Sequence, residues 1–169
     1  MRWPWSVRLR SRIPITGRVR VTQHDAVTGA LVADSGWVPN QVTNAAANAL
    51  VTWLTGTQPT QGQNALPPVT QMELGTGTGT PAATDTSLIT PVPATLVPVT
   101  QAVVLAGPPA SPQWTAVWGG PGQSAQAGTF TEAGLFNSQG TLFAHLTGLN
   151  VVVGTSTVTT LDWVWTFTL

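Results

Sequence analysis

The chain contains no cysteine, no lysine and no tyrosine. Without cysteine it can form no disulfide, no thiolate nucleophile and no cysteine-ligated zinc site. Without lysine it cannot complete a P-loop, whose lysine reaches the phosphates. Charge of either sign is scarce: 7% of residues are charged, against about 25% in ordinary soluble domains. No apolar run approaches the roughly 18 residues that a membrane-spanning helix needs. The first residues lack the apolar segment of a signal peptide, so the sequence predicts action without secretion or membrane insertion.

What the chain does have is apolar mass. Hydrophobic residues make up 42% of its 169 residues, and eight are tryptophan. That is enough to build a core, so scarcity of charge does not mean disorder. A chain of about 150 residues hides roughly 70% of its unfolded surface. Low charge beside high apolar content predicts a surface partly covered by partner subunits. The charges are also segregated. Arg2, Arg8, Arg10, Arg12, Arg18 and Arg20 all precede Asp25, Asp34, Glu73, Asp85, Glu132 and Asp162. A basic arm on an acidic body favours association between copies or with a partner. Six arginines with no basic surface behind them are few for a nucleic-acid footprint, and none is expected.

The hydrophobic patterning predicts an extended arm over residues 1–14 and a β-sandwich domain over 15–169. In the arm, Trp3, Trp5, Val7 and Leu9 alternate with Arg2, Arg8 and Arg10, and Pro4 suits an edge position. Residues 15–24 and 31–38 read as a hairpin about the turn Asp25–Gly29, with Pro39 ending the second strand. Asn40 or Thr43 can cap a helix near 43–54, with Val42, Ala46, Leu50 and Leu54 on one stripe, Trp53 beside it and Gly56 at its C-terminal end. Residues 69–74 read as a strand. The segment 75–88 reads as a flexible Gly/Thr loop in which ATDTSL can close one helical turn. Residues 90–113 carry six prolines and read as edge strand or extended connection, with a strand over 97–105. Further strands fall at 114–118, 130–136, 141–146 and 155–169. In the last, Leu161, Trp163, Trp165, Phe167 and Leu169 share one face, the pattern of a half-buried antiparallel strand. Many short strands between Gly/Pro turns predict an antiparallel, jelly-roll-like sandwich with one helix.

The motifs suggestive of chemistry are weak. GTGTGT at 75–80 has neither P-loop spacing nor a downstream helix for a dinucleotide fingerprint. His24 and Asp25 are neighbours on a strand and point to opposite faces. His145 lies on a predicted strand and reads as a satisfied interface or surface histidine. No spacing of His and carboxylates suggests a metal. Glu132 interrupts an apolar strand. A hydrolase would pair it with a second acid, Asp162 or Glu73, whereas the plainer reading hydrogen-bonds it to backbone or to an arm arginine. Trp163 and Trp165 belong to the presumed core. Arg2, Trp3, Trp5, Arg8, Arg10, Arg12, Trp114 and Trp118 are the candidate interface residues, since tryptophan and arginine are enriched at binding hot spots. No catalytic, cofactor-binding or metal site is expected.

Several stretches carry a family likeness: GRVRVTQHDAVTGAL, PNQVTNAAANAL, MELGTGTGTPAATDTSL, FTEAGLFNSQGTLFAHL and VTTLDWVWTFTL. Together, over roughly residues 17–169, they resemble small virion proteins of tailed bacteriophages, described as tail or tail-fibre-associated. The resemblance is sharpest in the GTGT-x-PAATDTSL and EAGLFN-x-x-GTLFAH segments, and the arm lies outside it. It implies a non-enzymatic structural protein, assembled in the host cytoplasm into the virion. Its partners would be copies of itself, as a homo-oligomer with a trimer favoured, and other virion proteins, with no membrane. A capsid decoration protein is the alternative within that class. A carbohydrate-binding or hydrolytic receptor module is the alternative outside it, and would need exposed tryptophan beside paired acids in a groove.

Overall fold

The computed structural model describes residues 15–55, 67–107 and 110–167, with the side chains of Leu54 and Thr55 left out. The arm, including Arg2, Trp3, Trp5, Arg8, Arg10 and Arg12, lies outside the described residues, as does the helix-ending Gly56. The strands are β1 (Ile15–Asp25), β2 (Leu31–Val42), β3 (Val69–Gly75), β4 (Val97–Pro98), β5 (Gln101–Leu105), β6 (Ser111–Gly119), β7 (Gly128–Asn137), β8 (Leu142–Val153) and β9 (Thr157–Phe167). A single α-helix among the described residues, α1, spans Asn44–Thr55. The protein is mainly β, as the alternation required. The strands form one curled antiparallel sheet in the order β4-β3-β7-β8-β2-β1-β9-β6-β5.

Two bends produce the curl. β2 pairs with β1 through Asn40, then with β8 at Gln41 and Val42. Pro39, expected to end this strand, instead stands opposite Arg18 where the strand changes partner. A proline donates no ladder hydrogen bond, so it is tolerated where pairing is about to pass elsewhere. The second bend lies between β4 and β5. Val99 N donates to Thr70 O and the next residue, Thr100 N, donates to Thr115 O, so consecutive residues bond to opposite ends of the sheet. The strand expected over 97–105 is therefore split at this corner.

The curl encloses one main core. β1 contributes Val19 and Val21, β6 contributes Ala116 and Trp118, and β9 contributes Leu161, Trp163 and Trp165. Facing them are Met72, Leu74, Leu135, Phe143 and Val151 from β3, β7 and β8. β9 is flanked by β1 and β6 in unbroken register, which suits its period-2 pattern. Thr43 caps α1: its hydroxyl accepts from Ala46 N at 3.3 Å and donates to Leu142 O at 2.7 Å, tying the helix to β8. Among the described helix side chains Ala46 and Ala49 are buried, with Trp53 tilted over Phe143 at 6.1 Å. β8 runs well past the expected stop at 146, because a bulge centred on Gly148 (φ 78°) absorbs the irregularity opposite Thr131.

Candidate functional site

A buried chain of three ionisable side chains is the chemically distinctive feature. Glu132 on β7 and His145 on β8 sit diagonally on adjacent strands, Glu132 opposite Thr147 and His145 opposite Gly134, on one face of the sheet. Both are fully buried. His145 Nε2 lies 2.6 Å from Glu132 Oε1, and His145 Nδ1 lies 2.7 Å from Asp85 Oδ2. The imidazole thus bridges the two carboxyl groups, one at each ring nitrogen.

The segment 76–90 forms the lid of this site. Glu132 accepts from Ile89 N at 2.6 Å, Thr90 N at 3.1 Å and Gly77 N at 3.1 Å. Burial pushes the Glu132 carboxyl up, but these amides and His145 outweigh it and hold the group below its ordinary range. Asp85 accepts from Ala82 N at 2.8 Å. That bond, opposed by burial and reinforced by His145, holds Asp85 low as well. Thr131 and Thr147 hydroxyls donate to Gly77 O and Gly79 O, and Leu88 packs with Phe136 and Leu142 in a second small core.

This geometry explains the GTGTGT run. The chain is extended there, so alternate residues face the sheet. A β-carbon on Gly75 would stand 2.5 Å from Glu132 Oε2 and 2.6 Å from Thr90 O. One on Gly77 would stand 2.6 Å from Glu132 Oε2. The glycines let backbone lie directly on a buried carboxylate.

Chemically the arrangement is a clasp. Every polar atom of His145 and Glu132 is engaged in holding the lid, and neither meets solvent. The two carboxylates lie on opposite sides of the imidazole and cannot converge on one ion; among the described residues no cluster of three or more His, Cys, Asp or Glu could hold a metal. A cavity of about 240 Å³ lies nearby, lined by Gln71, Glu73, Thr86, Leu88 and Phe136 among others, with no tryptophan in its wall. Glu73 is its one carboxylate, raised by burial and by the neighbouring Glu132 charge.

The plainer expectation for Glu132 matches its backbone bonds; among the described residues its side-chain partner is His145, and the arm arginines lie outside the described residues. His145, expected as a satisfied interface or surface histidine, is satisfied but fully buried within its own chain. Neither Asp162 nor Glu73 bonds Glu132. Asp162 instead accepts from Thr115 at 2.6 Å and Gln113 at 3.0 Å. The third member, Asp85, escaped sequence reasoning; its one signal was a lone acid within a Thr/Ala loop. Trp118 requires a correction. It is 1% exposed, and its indole N–H donates to Thr95 O at 2.6 Å. It belongs to the core because position 118 faces inward on β6, into the curl of the sheet. Trp114 is half-buried, edge-on to Trp165 at 5.0 Å. His24 and Asp25 form no dyad: Asp25 accepts from Val27 N, Thr28 N and the Thr28 hydroxyl in the hairpin turn.

Exposed apolar side chains gather elsewhere. In the β1–β2 hairpin Val27 is 91% exposed, Val32 60%, Leu31 57% and Trp37 42%. Arg18 lies over the Trp37 ring at 5.2 Å, and Arg20 makes a bidentate pair with Asp34 at 2.6 and 3.0 Å. Two of the six arginines are thus engaged on the body itself. No family model, no curated protein and no solved structure matches the chain.

Proposed function

We propose that this chain is a non-enzymatic structural protein of a tailed-phage virion, a tail or fibre-attachment component that works through contacts between subunits. The observation that carries the reading is the β1–β2 hairpin. Val27, Leu31, Val32 and Trp37 are exposed on it, more apolar surface than a free hairpin tip carries without a partner to cover it. The clasp supports the same reading, since its ionisable groups are consumed in holding a loop. The basic arm of one copy or its neighbour meets the acidic body, and a trimer closes the assembly. The finer architecture we propose is a two-layer sandwich, β3-β7-β8 over β1-β9-β6, joined at the two bends described above. Copies of the chain and other virion proteins are the partners, with neither nucleic acid nor membrane among them, and no cofactor is required.

Light scattering on the full-length protein beside a version lacking residues 1–12 tests self-assembly. The expected result is a trimer or larger assembly that weakens without the arm; a monomer in both overturns assembly through the arm. Mass spectrometry of banded particles from a host that encodes the chain tests location. The reading requires a fixed stoichiometry to other particle proteins, and absence from the particles overturns it.

A further inference from the structure

Among the described residues β2, β8, β4 and β5 each leave strand edge unpaired, and these edges are guarded unequally. Beyond their short contact at Gln41–Val42 and Ala144–His145, β2 and β8 diverge. Each carries a bulge on its free stretch, at Ser35–Gly36 (φ 63° at Gly36) and at Gly148 (φ 78°). Bulges twist an edge away from foreign strands. The terminal β4 is two residues long and one is Pro98, which lacks a donor. The other terminal strand, β5, has none of these protections. Its five residues, QAVVL, pair with β6 residue for residue without a register shift, and nothing pairs with its far side among the described residues. Val104 is 72% exposed and Leu105 39%.

We propose that β5 is an interface: it pairs antiparallel with β5 of a second copy of this chain, across a two-fold axis, to make one continuous sheet. Charge selects the occupant. No charged residue occurs between Thr86 and Thr131, so β5, β6 and both bordering segments are neutral. A basic strand such as the arm would set its arginines along β5 and β6 with no carboxylate on either strand. A second QAVVL edge is uncharged, apolar and self-complementary, as an isologous contact requires. This interface extends the subunit-contact reading above but is independent of the arm.

The test uses the full-length chain and Val104→Lys, an exposed substitution that puts like charges near each other across the axis. Light scattering across a dilution series is expected to show pairing in the native protein and in a version lacking residues 1–12. Val104→Lys is expected to raise the dissociation constant roughly tenfold or more, with an unchanged circular dichroism spectrum. An assembly whose mass and affinity ignore Val104→Lys overturns the inference while leaving arm-mediated assembly standing; a native monomer overturns both. Should Val104→Lys misfold, hydrogen exchange of the native protein decides. Amides of 101–105 must gain protection as concentration rises, and concentration-independent exchange there overturns the pairing.

Discussion

Gly77 and Glu132 touch without a side chain between them: a β-carbon on Gly77 would lie 2.6 Å from Oε2 and 2.9 Å from Cδ of a carboxylate that cannot retreat. Gly77→Ala is therefore expected to cost about 1–3 kcal/mol by overpacking, and Gly75→Ala a similar amount, since Thr90 O blocks that position too. At Gly79 the nearest atom is the end of the flexible Ile89 side chain, so Gly79→Ala is expected to be much milder. Urea unfolding midpoints for the three variants check the order.

Glu132→Gln keeps the shape and removes the charge. An amide nitrogen then faces a backbone N–H or the His145 ring, and at least one buried donor loses its acceptor. Breaking a buried pair in this way is expected to cost about 3 kcal/mol or more. Amide exchange should quicken at Gly77, Ile89 and Thr90. Asp34→Asn disturbs the exposed Arg20 pair and is expected to shift the midpoint far less.

Acid should loosen the lid. Glu132 and Asp85 are held below their ordinary values near 4.5 and 3.8, so the unfolded chain takes up protons first as pH falls. Their stabilisation is complete above those values and is lost progressively as pH drops below them. Asp34, lowered to about 2 by Arg20, acts in the same direction over a lower range. Glu73 is raised by burial and by Glu132 and opposes the trend, being relieved by acid. Denaturation midpoints measured from pH 7 to pH 2.5 should be flat and then fall below about pH 4.5. The fall should be shallower in Glu132→Gln.

Trp118→Phe removes the donor to Thr95 O and leaves space in the core. A loss of about 1–3 kcal/mol is expected. Trp114→Phe changes a half-buried ring and should cost less. Thermal unfolding followed by tryptophan fluorescence separates the two.

Local rules sufficed for the elements they govern. The alternation of β9 and the turn chemistry of Asp25 and Gly29 needed only neighbouring residues, as did the cap at Thr43, and the structure has them. The confinement of Pro98 to an edge followed from its missing donor. Strand ends were harder. β2 continues beyond Pro39 because a second partner remote in sequence, β8, takes over, and β8 continues beyond Leu146 because Gly148 permits a bulge against β7. The clasp was illegible for the same reason. Asp85 and His145 lie 60 residues apart, and nothing local says that Gly/Thr backbone will fold over β7 to bring them together. The inward turn of Trp118 likewise depends on the register of β6 against β9, more than 40 residues on.

The strand order carries a consequence for how the molecule is made. β1 is held on one side by β9, the last strand of the sheet to leave the ribosome, along the whole of its length. Until then β1 has β2 as its only strand partner and its other edge is open, beside the core side chains Val19 and Val21. The sheet is thus completed by the insertion of a central strand rather than the addition of an edge, and a pause before β9 emerges leaves a nascent sheet that is sticky in its middle.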